Sequence, residues 1–190
     1  MFLTNFKRKT DEELMALIQR GEERAFTELY QRFHKKIIRY FYRMLWRDEH
    51  KAQDFLHDLF LKIIEKPEHY HASKKFSTWI YSVAHNMCKN EYRKQNFRQA
   101  ANEQLVVTEA IDLHVHAKLD YQALSDEVEK LLAKGDEDDR NLFVLRCELE
   151  MTFAEIAAIL DCPEGTVKSR WFYVKKKLAN ELRIYHPALK

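Results

Sequence analysis

The segment from Phe153 to Leu178, FAEIAAILDCPEGTVKSRWFYVKKKL, constrains this chain more than any other. Its apolar residues form two stripes with helical spacing, and residues 161–164 (Asp-Cys-Pro-Glu) interrupt the pattern between them. A proline fits a turn or the first position of a helix, but not a helix interior. The segment therefore predicts a helix-turn-helix, whose second helix can lie in the DNA major groove. The predicted stripes are Ile156, Ala157 and Leu160, then Val167, Trp171, Val174 and Leu178.

The opposite face of the second helix carries hydroxyls, cations and two aromatic rings. These are the residue types that contact phosphates and base edges. For this segment alone, the alternative is an amphipathic hairpin whose lysines only solvate it. The candidate DNA-binding residues are Thr166, Lys168, Ser169, Arg170, Phe172 and Tyr173.

Glycine and proline are scarce, with three of each in 190 residues. Few helix breakers and long periodic segments predict an all-α fold. We expect two small helical bundles joined by a linker, the second of which contains the helix-turn-helix. The first bundle would begin with a capping box at Thr10 and Glu13. The predicted ranges are 1–98 for the first bundle, 99–119 for the linker and 120–190 for the second bundle.

The net charge of +2 averages over unlike segments. Residues 73–98 hold six Lys/Arg against one acid, and residues 164–183 hold six against two. Between them, residues 99–140 hold eleven acids against four bases. Two basic segments around an acidic middle indicate an anionic partner that is contacted at two places. The acidic middle would either keep the bundles off DNA or act as a solvated tether.

The first basic segment, residues 69–98, also carries six aromatic residues. Rings interleaved with cations suit single-stranded nucleic acid, because bases stack on rings while cations follow the backbone. Phe76 and Trp79 have the spacing of core residues and are expected to be buried. The candidates for nucleic-acid contact are Tyr70, Lys74, Lys75, Asn86, Lys89 and Arg93.

No motif in the sequence indicates catalysis, a metal or a cofactor. Nucleotide-binding loops and nucleophile motifs are absent, and the three cysteines form no C-x-x-C pair. The histidines, including His85 near Cys88, are expected at the surface or in loops rather than as metal ligands. No signal peptide or membrane-spanning run is present, so we expect a non-enzymatic cytoplasmic protein that is not inserted in the membrane.

An N-terminal block of two segments and a C-terminal block of one segment resemble the bacterial sigma factors of the extracytoplasmic-function (group IV) family. AQDFLHDLFLKIIEK and FSTWIYSVAHNMCKNEYRKQ are similar to regions 2.2 and 2.3–2.4 of that family. RNLFVLRCELEMTFAEIAAILDCPEGTVKSR is similar to region 4, with P-x-G-T-V-K-S-R as its most specific element. The likeness extends over roughly residues 11–182. It includes departures, such as Asp161 and Glu150 where glycine is common.

The resemblance implies an alternative sigma factor that binds core RNA polymerase and directs promoter recognition, −10 melting and transcription initiation. The first bundle would bind the largest (β′) and β subunits and the single-stranded −10 element, with the loop 69–75 forming part of a pocket for an extruded base. The second bundle would read the −35 duplex. An anti-sigma factor is a further implied partner. The implied polymerase-binding residues are Asp54, Asp58, Leu59 and Phe60.

Two other functions compete with this interpretation. An operator-binding regulator would use the helix-turn-helix alone, and would need neither the region 2.2-like residues nor a helix for single-stranded DNA. A sigma mimic that sequesters an anti-sigma factor would be expected to lose its DNA-facing cations, yet Lys168, Arg170 and Arg93 are present.

Overall fold

The computed structural model describes residues 6–101, 127–128, 130–132 and 135–182, except for the side chains of 99–101. Every regular element in these ranges is helical, which confirms the all-α prediction. Short 3-10 turns lie at Phe6–Arg8 and Pro67–His69, and a π-helical turn, Val144–Glu148, follows α5 directly. The α-helices are α1 (Asp11–Ile18), α2 (Glu23–Met44), α3 (Glu49–Glu65), α4 (Phe76–Ala101), α5 (Glu137–Phe143), α6 (Phe153–Leu160) and α7 (Glu164–Leu182).

Helices α1 to α4 form the first bundle. The predicted capping box begins α1: Glu13 N–H donates to Thr10 Oγ1, and Thr10 N–H donates back to the Glu13 carboxylate. The core is rich in aromatic rings, and the Phe33 and Phe76 rings meet edge to face with centroids 5.2 Å apart. Phe76 is fully buried, as predicted, and Trp79 is partly buried against the core.

The second bundle consists of α5, α6, α7 and the turns that join them. Val167 and Val174 of α7 are buried against Ile156 and Ile159 of α6 and Leu142 of α5. Trp171 and Leu178 pack partly buried on the same cluster, so both predicted stripes face inward. The predicted linker beyond Ala101, and residues 120–126 at the start of the predicted second bundle, lie outside the described residues.

A buried polar network joins the two bundles. The Tyr40 hydroxyl of α2 donates to Asn141 Oδ1 of α5 over 2.9 Å. Asn141 Nδ2 lies 2.7 Å from His85 Nδ1 of α4, and Asn141 has no exposed surface. At the rim, the Glu148 carboxylate accepts hydrogen bonds from Arg39 and Arg43 of α2. The two bundles are therefore held together by specific polar contacts as well as by packing.

Helix α4 has a second buried face that was not predicted from the sequence. His85 was expected at the surface, but it is buried, as is Cys88 one turn later. Together with Tyr81 and Tyr92 they follow the spacing i, i+4, i+7, i+11, which places all four on one side of the helix. Tyr81 and Tyr92 therefore do not stack on nucleic acid, because the protein core covers their rings.

The buried imidazole of His85 should make stability depend on pH. Burial lowers its pKa, with a smaller lowering by Lys89, and nearby Asp138 opposes the shift. With Asn141 Nδ2 as donor, His85 Nδ1 accepts and the folded ring is neutral. An unfolded histidine titrates near 6.5, so the unfolded chain takes up its proton at a higher pH than the folded chain. Stability is therefore fully present above that value and falls as the pH falls below it.

We expect His85→Gln to remove this component, because a glutamine oxygen can accept from Asn141 without being protonated. Between about pH 7.5 and 5.5, the free energy of unfolding of the wild type should fall by more than that of the variant. Chemical denaturation at several pH values measures the difference, and the other eight histidines are common to both proteins. Equal pH dependence in the two proteins would contradict this role of His85.

Candidate nucleic-acid interfaces

The helix-turn-helix is built from α6, a three-residue turn and α7. A second capping box begins α6, with Thr152 Oγ1 accepting from Glu155 N–H and the Glu155 carboxylate accepting from Thr152 N–H. The T-x-x-E pattern could have predicted it. Asp161 ends α6 with a left-handed backbone at φ 52°, a conformation that aspartate adopts more readily than most residues. The Pro163 carbonyl then accepts from Thr166 and Val167 and starts α7.

The predicted contact residues of α7 lie on its exposed side. Phe172 and Tyr173 are 59% and 64% exposed, and their rings meet edge to face 5.6 Å apart. Ser169 lies one turn before Tyr173 and is also exposed, as is Thr166. This side points away from buried Val167 and Val174. The face therefore offers two large rings and two hydroxyls to a partner.

Both cations of this face pair with acids of the same chain. Lys168 Nζ lies 2.7 Å from the Glu164 carboxylate, one turn earlier on α7. Arg170 lies at the flank of the face, where its guanidinium donates to Asp138 of α5 over 2.6 Å. That hydrogen bond raises the pKa of Arg170. Arg170 would have to exchange Asp138 for a phosphate in order to bind DNA.

The second candidate face is a stripe along α4. Asn86, Lys89 and Arg93 are exposed and recur at helical spacing, and Asn86 follows Ser82 by one turn. Lys75, just before the helix, continues the stripe toward its N-terminus. The stripe joins amide and cationic side chains that can follow a nucleic-acid backbone.

The loop before α4 holds a prediction that the structure does not support. Tyr70 is only 3% exposed, its hydroxyl donates to the Lys74 carbonyl over 2.6 Å, and its ring packs on Phe76 and Trp79. Tyr70 therefore shapes the loop from inside rather than offering its ring to a base. Lys74 and Lys75 are exposed as predicted. A cavity of about 450 Å³ opens beside the loop; it is lined by Gln19, Pro67, Glu68, Tyr70, His71 and Ala72.

The helix-turn-helix packs across the beginning of the α4 stripe. Lys75 Nζ lies 3.1 Å from the Glu155 carboxylate of α6. A second cavity of about 460 Å³ lies between α4 and α6, and Trp79 and Ser82 contribute to its wall. The two candidate nucleic-acid faces are therefore close together in this arrangement, and α6 partly covers one of them.

The predicted polymerase-binding residues of α3 separate into two groups. Asp54 and Asp58 are exposed, whereas Leu59 and Phe60 are buried, and the Phe60 ring lies 4.7 Å from that of Tyr30. Leu59 and Phe60 cannot touch a partner in this fold because the first bundle encloses them. The exposed apolar residues of this helix are Leu61 and Ile64, at 50% and 51%. Neither residue was predicted from the sequence, although Leu61 follows Asp54 and Asp58 at helical spacing and Ile64 lies one turn after Leu61.

The described part of the chain contains neither a metal-binding cluster nor a membrane-spanning helix. No cluster of three or more His, Cys, Asp or Glu side chains in it is arranged to hold a metal ion. None of the helices in these ranges has the length and apolar character needed to cross a bilayer.

Comparison with protein-family models gives two matches in order along the chain. Residues 29–98 match "Sigma-70 region 2", and residues 125–178 match "Sigma-70, region 4". The chain is 30% identical over 185 residues to the ECF RNA polymerase sigma-E factor of Haemophilus influenzae, which covers 92% of this chain and 96% of that protein. It is 26% identical over 175 residues to the ECF RNA polymerase sigma factor SigW of Bacillus subtilis, which covers 87% and 93%.

Solved structures share the fold. CnrH, solved in complex with the cytosolic domain of CnrY, superposes with a TM-score of 0.69 at 23% identity, over 93% of this chain and 99% of that one. The sigma factor RpoE of Bartonella quintana, in complex with the anti-sigma factor NepR, superposes with a TM-score of 0.66 at 21% identity, over 84% and 97%.

Proposed function

Because the chain belongs to the extracytoplasmic-function (ECF) family of RNA polymerase sigma factors, we propose that three of its surfaces divide the work of promoter recognition. As a member of this family it is an alternative sigma factor: it binds core RNA polymerase and promoter DNA, directs transcription initiation and has no enzymatic activity of its own. The observation that carries the division into surfaces is that α4 and α7 each present an exposed face with nucleic-acid-binding side chains.

The exposed face of α7 is our candidate for the −35 element. A helix of this kind inserts its exposed side into the major groove of duplex DNA. Lys168, Ser169, Phe172 and Tyr173 would face base edges, with the rings against thymine methyl groups or sugars. Thr166 and Arg170 would approach phosphates. This contact requires Arg170 to leave Asp138 and Lys168 to leave Glu164.

The stripe on α4 and the loop before it are our candidate for the melted −10 element. Lys74, Lys75, Lys89 and Arg93 would follow the phosphates, and Asn86 would reach a base or sugar. The cavity beside the loop would hold an extruded base, since its volume of about 450 Å³ lies in the range of small-molecule pockets. Contacts to the extruded base would offset part of the unstacking and unpairing energy that melting costs.

The exposed side of α3 is our candidate for core polymerase. Asp54 and Asp58 supply charge, and Leu61 and Ile64 supply apolar surface between polar neighbours. Exposed apolar residues with a polar rim are typical of protein–protein contact sites. Leu59 and Phe60 would hold this helix in place from within the bundle.

Two wider proposals follow from the family. We place the protein in the cytoplasm, where core polymerase and promoter DNA are found. We also propose that an anti-sigma factor binds it, because the RpoE structure contains the anti-sigma factor NepR.

Run-off transcription tests the proposed division. Core polymerase of the source organism is combined with the purified chain and a promoter library, and the selected start sites are sequenced. We expect selection of a −10 and a −35 sequence that core polymerase alone does not show. Transcripts with no sequence preference would contradict the proposal.

Lys168→Ala tests the α7 face. The variant should bind −35 duplex less tightly, since one good base contact contributes about 1–3 kcal/mol of discrimination. Measuring holoenzyme affinity for selected and scrambled −35 sequences separates a base contact from a phosphate contact, which would weaken both alike. Lys35→Ala, at an exposed position of α2, is the matched control. An unchanged ratio of the two affinities would remove Lys168 from base recognition.

A further inference from the structure

Side chains at the two ends of helix α1 hold the two ends of the loop that lies beside the cavity. Gln19, directly after α1, donates from Nε2 to the Pro67 carbonyl over 2.9 Å and to the Tyr70 carbonyl over 3.1 Å. At the other end, Glu12 accepts from Phe76 N–H over 2.9 Å, where α4 begins. This hydrogen bond lowers the pKa of Glu12. Both anchors precede residues 29–98, the segment that matches the region 2 model.

The two bonds of Gln19 also fix the orientation of its amide. Both partners are backbone carbonyls, which only accept, so the NH₂ group must face them. Both of its N–H groups are then used. The remaining polar atom, Oε1, makes no hydrogen bond within the described part of the chain, and Gln19 lines the cavity. Glu68, a second acceptor, also lines this cavity.

We propose that Gln19 is a positioning and specificity-determining residue for the −10 element, which anchors the loop and selects a base with an exocyclic amino group. Carboxylate and amide oxygens accept hydrogen bonds from the amino groups of cytosine, adenine and guanine, whereas thymine has no amino group to donate. Lys74 and Lys75, at the far end of the loop, are placed for phosphates rather than for the base edge. This inference rests on the proposed function, because it takes the cavity as the site of the extruded base.

Two substitutions separate the two roles of Gln19. Gln19→Lys keeps a donor for the carbonyls of Pro67 and Tyr70 but removes the acceptor. Gln19→Glu keeps an acceptor but places a carboxylate against those carbonyls, which releases the loop. Gln31→Ala is the control, since Gln31 is exposed on α2 and its side chain makes no hydrogen bond within the described residues.

The test uses holoenzyme and a promoter library randomised across the −10 element, with the initiating sequences counted. We expect the wild type to prefer cytosine, adenine or guanine over thymine at one −10 position. Gln19→Lys should reduce that preference over thymine roughly 2- to 12-fold, the range of one net hydrogen bond, and leave the other positions unchanged. Gln19→Glu should weaken selection across the −10 element while selection at −35 stays intact.

The outcomes distinguish this inference from the proposed function. A wild type without any −10 preference would overturn both. A wild-type preference that Gln19→Lys retains in full, or one for thymine at the position that Gln19→Lys affects, would overturn the inference alone. Loss of selection at −10 and −35 together in Gln19→Lys, with a lowered melting temperature, would show a role in folding only and would also overturn it.

Discussion

Replacing Asn141 with alanine is expected to lower the free energy of unfolding by about 2–6 kcal/mol. The substitution leaves the Tyr40 hydroxyl and the His85 Nδ1 buried without their partner. A buried polar group that loses its hydrogen bond costs about 1–3 kcal/mol, and two such groups are stranded here. Chemical denaturation at neutral pH measures the loss.

Two comparisons show whether the loss comes from the network. Tyr40→Phe removes one donor and strands only Asn141 Oδ1, so its cost should be smaller, about 1–3 kcal/mol. Asn90→Ala, at an exposed position of α4, should have little effect. If Asn141→Ala were as stable as Asn90→Ala, the network would contribute nothing to the union of the two bundles.

Neutralising the six predicted DNA-contacting cations is expected to change how salt weakens promoter binding. Each phosphate contact contributes about −0.9 to the slope of log affinity against log salt on duplex DNA, and about −0.7 on single strands. With Arg170 assigned to duplex phosphates, four cations to single-stranded DNA and Lys168 to a base edge, the slope should become shallower by about 3.5 to 4. Between about 50 and 200 mM salt, wild-type holoenzyme should lose roughly 100- to 250-fold more affinity than the variant. The cations are Lys74, Lys75, Lys89, Arg93, Lys168 and Arg170.

Core polymerase contributes equally to the slope of the wild type and of each variant, so the difference between two slopes removes its contribution. Binding to a promoter fragment with a pre-melted −10 element is measured at increasing KCl concentrations for three proteins. These are the wild type, the variant in which the six cations are replaced by glutamine, and a control. The control replaces four exposed cations elsewhere in the first bundle, namely Arg20, Arg24, Lys35 and Lys36. A control that flattens the slope as much as the variant does would mean that general charge, rather than the two faces, sets the salt dependence.

Helical periodicity was sufficient to predict most of the helices. Each of these buries one stripe of apolar residues, and the regular spacing of that stripe is visible in the sequence. Periodicity was insufficient for α4, which is buried on two sides. One stripe packs into its own bundle and the other, with Tyr81 and His85, packs toward the second bundle. Which helix covers a second apolar face depends on contacts distant in sequence. Asn141 lies 56 residues from His85, and no local pattern links them.

The candidate sites show the same limit at the level of single residues. The aromatic and basic residues around Tyr70 predict a nucleic-acid-binding loop, but they do not predict the direction of the Tyr70 ring, which turns inward onto Phe76. The motif that includes Leu59 and Phe60 predicts a binding helix, yet its most apolar residues serve the core. The anchor at Gln19 carries no motif, since it depends on two carbonyls some fifty residues away.

The packing of α6 against α4 has a consequence for how the protein spans a promoter. The −10 and −35 elements are named for positions about 25 base pairs apart, which is roughly 85 Å along B-DNA at 3.4 Å per step. Here Lys75, at the start of the candidate −10 stripe, contacts Glu155 of α6, and a three-residue turn joins α6 to the candidate −35 helix α7. The two candidate faces therefore lie within about one helix length, roughly 30 Å. The compact form cannot reach both elements at once. Its apparent promoter affinity is therefore the intrinsic affinity of the extended form multiplied by the fraction of molecules that are extended. Whatever extends the chain thus controls how tightly the protein binds a promoter.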